Sequence, residues 1–214
     1  MNDLSDCNYR ITLAVCLGLL SFFVVIPQAH ATSDTYSILS NVWFEGTSSV
    51  RDWVCKDVPA NGSLKLPRSP ESTQDLYSLL QRLPDTTYRT TVKAPVNEIG
   101  CAQGERMNNH MRNALEANQY PTISFNLNAV RPNELIDTTP KKIKADLVGT
   151  LTIKKTTRKV RIPVKVHITP DGVIQVSGQI QLDMTNYKVK PPTVMWTITV
   201  YDDITVHVDS VLRP

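Results

Sequence analysis

The chain has 214 residues, of which 41% are apolar, 20% charged and 7% aromatic, with 8 Gly and 14 Pro. This composition excludes disorder, collagen-like repeats and coiled coil. Its length fits about one domain, and a formal charge of +3 makes it only mildly basic. Much of the strongest hydrophobicity is confined to the first thirty residues. There, residues 11–26 (ITLAVCLGLLSFFVVI) follow the basic Arg10 and precede Pro27 and an Ala29-His30-Ala31 site. A basic residue, a short apolar run and an A-x-A site describe a secretory signal peptide cut after Ala31. The run covers 16 residues, whereas roughly 20 are needed to cross a bilayer, so an uncleaved anchor is the weaker reading. Cys16 is preceded by Val15 rather than a small residue, which argues against lipidation. Cleavage leaves residues 32–214, a 183-residue chain of net charge +4, expected to be soluble, exported and periplasmic.

Two cysteines survive cleavage, Cys55 and Cys101. In an oxidising compartment an isolated pair forms a structural disulfide, worth up to roughly 4 kcal/mol on the chain-entropy model. A redox-active dithiol is the rival reading, although it usually needs C-x-x-C proximity. The first half of the mature chain reads as strands over residues 36–47, 53–59, 63–66 and 88–96, with a helix over 73–83. A second helix is predicted over 105–118, with Met107, Met111, Ala114, Leu115 and Asn118 on one stripe before Tyr120-Pro121 ends it.

From residue 123 onward apolar and polar residues alternate through five segments. Ile123, Phe125, Leu127 and Ala129 share one face of the first, and Ile143, Ala145, Leu147, Gly149, Leu151 and Ile153 share one face of the second. The third presents Val160, Ile162, Val164, Val166 and Ile168, the fourth Ile174, Val176, Gly178, Ile180 and Leu182, and the fifth Ile204, Val206 and Val208. Such alternation marks antiparallel strands with one buried and one wet face. Pro170-Asp171-Gly172 supplies a strong turn between two of them, and residues 154–157 a weaker one. A meander this long covers its apolar face and its edges by curling into a barrel. The fold class is therefore all-β, an antiparallel barrel of about eight strands with a small helical insertion.

No G-x-S-x-G elbow, P-loop, H-E-x-x-H or dinucleotide motif occurs. His167 and His207 fall on predicted wet faces, which leaves His110 as the one serious catalytic candidate, and its plainer reading is a surface or packing histidine. No histidine has ligand spacing with the cysteines, so no metal is expected. The basic residues Lys154, Lys155, Arg158, Lys159 and Arg161, at a hairpin tip and on predicted outward faces, read first as solvated charges guarding a β surface. A weak attraction to anionic membranes or to a lipid pyrophosphate head is the alternative. Nucleic acid is not an expected partner. The small inward residues Ala129, Ala145, Gly149 and Gly178 either leave room for a cavity or ease sheet curvature at a corner.

Three ordered segments and a closing DDITVHVDS carry a resemblance: NALEANQYPTISFNLNAV (residues 113–130), VGTLTIKKTTRKVRIPVKV (148–166) and VSGQIQLDMTNYKVKPP (176–192). Together they resemble the YceI-like family of exported bacterial proteins, over residues 36–209. The resemblance implies a lipocalin-like barrel whose apolar interior holds a polyisoprenoid or similar lipid in some members, and binding rather than catalysis, without cofactor or metal. Carried onto this chain, it points to the inward positions Phe125, Leu127, Leu147, Leu151, Ile162, Val164, Val176 and Ile180 as the ligand-contacting set. Cys55, Cys101 and the I-K-K-T-T-R hairpin depart from the common pattern, and the cysteines together with the M-N-N-H-M helix suggest a distinct subgroup. The expected partner is a long-chain isoprenoid or acyl lipid, with at most peripheral membrane contact and a homodimer left open. A non-catalytic interaction module without lipid ranks second, and an enzyme acting through His110 or the cysteines third.

Overall fold

The computed structural model describes residues 33–191 and 198–214. The export signal and its cleavage site lie outside the described residues. Among the described residues nine strands, β1 (Asp34–Ser48), β2 (Trp53–Leu66), β3 (Thr90–Pro95), β4 (Gly100–Cys101), β5 (Thr122–Ile136), β6 (Lys142–Ile153), β7 (Thr156–Ile168), β8 (Ile174–Asp183) and β9 (Val200–Arg213), carry two helices, α1 (Thr73–Arg82) and α2 (Glu105–Ala114), between them. Every pairing is antiparallel, in the order β1-β9-β8-β7-β6-β5-β3-β2, and β1 pairs back onto β2. Eight strands thus close a barrel, and the two-residue β4 hangs on β2 outside the ring.

The C-terminal strands follow the alternation in the sequence. Lys154 and Lys155 turn the β6–β7 hairpin, with Lys154 in the left-handed region (φ 54°). At the Pro170-Asp171-Gly172 turn, Gly172 has φ 79° and its N–H donates to the Thr169 carbonyl at 2.9 Å. The first half differs from expectation in two places. Residues 53–59 and 63–66 form one strand, because the ladder to β1 runs through Pro59 and Gly62 and long-range pairing overrides local turn propensity. The second helix ends at Ala114 rather than near Asn118: Glu116 adopts φ 53°, and the chain leaves the helix through bonds such as Ala117 N–H to Arg112 carbonyl.

Both ends of the barrel are plugged. At one end α1 begins with the Ser72 hydroxyl accepting from Asp75 N–H at 3.1 Å, and buries Leu76 and Leu80 beside Tyr88. Arg68 donates two hydrogen bonds to Asp75, at 2.6 and 2.5 Å. At the other end Met107, Met111 and Leu115 of the α2 region pack with Met184, Tyr187 and Val189 and with the Cys55–Cys101 disulfide, whose residues are direct register partners of β2 and β4.

Candidate functional site

The interior between the two plugs is hollow. A cavity of about 280 Å³ runs from Leu66, Leu76 and Leu80 at one end to Met184, Tyr187 and Val189 at the other. On β8 its wall spans Ile174 to Leu182, roughly 27 Å of strand at about 3.4 Å per residue, or about 20 Å along the axis of a tilted barrel. Such a long, narrow space suits one hydrocarbon chain. All eight inward positions singled out from the sequence line it, two on each of β5, β6, β7 and β8. Leu147, Leu151, Val176 and Ile180 face inward yet are only half-buried, as expected of side chains bordering empty space rather than one another.

Among the described residues the lining holds no charged side chain. Its few polar groups are largely satisfied within the wall. The Ser40 and Ser210 hydroxyls bond each other at 2.6 Å across β1 and β9, and the Thr90 hydroxyl donates to the Ser63 carbonyl. Tyr88 donates to the Leu80 carbonyl at 3.2 Å, and burial pushes its phenol up to about 12, so it stays neutral at any physiological pH. Among the described residues the wall thus offers mainly apolar surface, suited to an apolar guest.

The cavity does not come from the small residues that suggested it. A Cβ on Gly149 would sit 2.3 Å from the Asn126 carbonyl oxygen and 2.7 Å from the Phe125 ring, and one on Gly178 would sit 2.5 Å from the Pro163 carbonyl oxygen. These glycines admit neighbouring strands and an overlying ring, which is the curvature reading. Ala129 and Ala145 lie off the cavity wall as well. A bulge between Leu127 and Ala129 shifts the β5 register, so Val130 continues the wall. Much of the wall comes instead from β1, β2, β3 and α1, through residues such as Ile38, Phe44, Val92 and Leu76. Alternation over Tyr36, Ile38, Ser40, Val42 and Phe44 was the available signal.

Lys155, Arg158, Lys159 and Arg161 of the basic cluster are exposed, as the sequence suggests, and Lys154 is the exception. The Lys154 side chain is only 8% exposed, pairs with Glu116 and donates to the Lys188 carbonyl at 3.1 Å. Arg161 is tied to the buried Asp146, which also accepts from Asn133 at 2.7 Å, and the Arg161 bond holds the Asp146 carboxyl below its ordinary range. Arg158 is solvent-exposed and does not line the cavity, although its register partner Leu151 places it on the same side of the sheet as the lining. His110, His167 and His207 do not line the cavity. His207 stacks on Trp43 with ring centres 4.8 Å apart and lies 3.1 Å from Glu45, and His110 is half-buried on α2. Among the described residues no group of three or more His, Cys, Asp or Glu could hold a metal ion.

The YceI-like domain model matches residues 40–212, which reaches from within β1 to within β9 and so touches every strand of the barrel. The chain belongs to the YceI-like family. Among solved structures, a polyisoprenoid binding domain from Saccharophagus degradans shares 12% identity and a TM-score of 0.56, covering 83% of this chain and 97% of that one. BcnA from Burkholderia cenocepacia is 19% identical (TM-score 0.49; 80% and 95% covered), and the Campylobacter jejuni YCEI protein 18% identical (TM-score 0.46; 59% and 72% covered). At 12% identity the likeness to the Saccharophagus degradans domain concerns the fold alone. No curated protein matches the sequence.

Proposed function

We propose that this YceI-like protein is an exported, periplasmic, non-catalytic lipid carrier that holds a polyisoprenoid or other long apolar chain inside its barrel. The observation that carries the reading is an elongated cavity walled by side chains without charge. The leader pattern over residues 1–31 supports export, and a family neighbour described as a polyisoprenoid binding domain supports the ligand class. The driving force is burial of hydrocarbon, about 0.8 kcal/mol per methylene. Titration of detergent-free protein with prenols and fatty alcohols of increasing length tests it. Kd should fall about fourfold per added methylene until the cavity is full, and a dependence flat in chain length contradicts the proposal. Mature protein from a periplasmic fraction should begin at Thr32, and a chain recovered uncleaved in the cytoplasm contradicts the assigned export.

A further inference from the structure

The barrel wall is not laddered all the way round. β7 and β8 pair only from Val164↔Gly178 to Ile168↔Ile174, so residues 156–163 of β7 and 179–183 of β8 have no register partners in each other. Pro163 accounts for where the pairing stops. Its carbonyl faces β8, 2.5 Å from where a Gly178 Cβ would be, and its ring nitrogen on that same strand edge has no hydrogen to donate. Beyond it the strands part around a groove whose floor, Ile180, Leu182 and Tyr187, is also the cavity wall. The β2–β3 edge is also thinly paired, but there the strands touch: a Cβ on Gly62 would sit 2.8 Å from the Thr91 carbonyl oxygen, and the Thr90 hydroxyl donates to Ser63. The lower β7–β8 seam is thus a stretch of the wall without ladder pairing among the described residues.

Three cations line this groove, Arg158, Lys159 and Arg161; Arg161 is tied to Asp146, and Arg158 is the one in register with the cavity-lining Leu151. Arg158 Nε donates to the Asn186 carbonyl at 2.6 Å, pulling the 3-10 turn Met184–Tyr187 across the lower end of the groove. Its terminal nitrogens bond no described residue. The nearby Asp183 carboxylate accepts from the Thr185 N–H (2.7 Å) and hydroxyl (2.6 Å) through Oδ1; the Thr185 hydroxyl and, to a smaller extent, the Arg158 charge hold it below its ordinary range. We propose that the β7–β8 seam is a lateral portal for an amphiphile with an anionic head: the tail passes over Ile180 and Leu182 into the cavity, and the carboxylate or phosphate head rests on Arg158. A guanidinium suits either head, because it presents paired donors to planar or tetrahedral oxygens. The portal rests on the reading of the cavity as an apolar-chain site.

The test uses cis-parinaric acid, a fluorescent polyene carboxylate, and its uncharged alcohol analogue. A Lys159→Cys/Gln181→Cys protein is compared with itself before and after bridging by a flexible bis-maleimide across the seam, with the native disulfide intact. Bridging should slow uptake of both probes about tenfold or more, as expected when a conformational opening limits association. Arg158→Gln should weaken the carboxylate probe about tenfold, the scale of one charge-assisted contact, and leave the alcohol unchanged. Arg158→Lys should recover part of the loss, and thermal melts verify folding. Uptake unaffected by bridging overturns the portal alone. Equal effects of Arg158→Gln on both probes, or none, overturn the head assignment. If neither probe binds the unbridged parent protein, the apolar-chain reading fails and the portal falls with it.

Discussion

Ala94→Leu separates a hollow barrel from a solid one. Ala94 lies on β3, lines the cavity and is only half-buried although it faces inward. Leucine adds three carbons, each worth up to about 0.8 kcal/mol once buried, so filling empty space should stabilise the ligand-free protein by as much as about 2.4 kcal/mol. Forced into a packed core, the same carbons would cost about 1–3 kcal/mol. The two cases differ in sign. At about 2–4 °C per kcal/mol for a chain of this size, the hollow case raises Tm by several degrees. The new side chain also takes room from about three methylenes of guest, a loss of about 2.4 kcal/mol or roughly sixtyfold in Kd. Thermal melts followed by circular dichroism, and titration with a long-chain polyene probe, read both. A Tm lowered by about 5 °C or more together with an unchanged Kd would refute the reasoning.

Replacing both Cys55 and Cys101 by Ala opens a crosslink spanning 46 residues and should cost about 4 kcal/mol on the loop-entropy model, or about 8–16 °C in Tm. Gly149→Ala should destabilise by about 3 kcal/mol, because the added Cβ meets the Asn126 carbonyl oxygen at 2.3 Å; a neutral denaturant midpoint would mean the site is open space after all. Asp75 is held down to about 2 from 3.8 by its Arg68 hydrogen bonds. A depressed carboxyl stabilises the fold above its unfolded pKa and loses that contribution as pH falls from about 4 to about 2, so Asp75→Asn should flatten this part of a stability-versus-pH curve.

The C-terminal half was legible because each strand obeys a strict two-residue period and each side chain has one plausible face. The eight inward positions lie on the cavity wall for that reason. Where the period breaks, the reading broke too. The β5 bulge moves Ala129 off the wall and brings Val130 onto it, and a bulge leaves no reliable mark in residue type. Gly149 and Gly178 were ambiguous because a missing side chain can admit either a ligand or a neighbouring strand. Only the positions of the Asn126 and Pro163 carbonyls decide between them. The continuity of β2 through Pro59 and Gly62 depends on β1, which precedes it in the chain but imposes its register in space. Lys154 looked solvated because its partners, Glu116 and the Lys188 carbonyl, are remote in sequence.

Native mass spectrometry of protein exported from its own leader and purified without detergent tests the lipid-holding barrel most directly. The expected spectrum carries the mass of the mature chain plus a single long-chain lipid, released on denaturation. A bare protein mass, combined with no uptake of prenyl or acyl probes by the same sample, contradicts it.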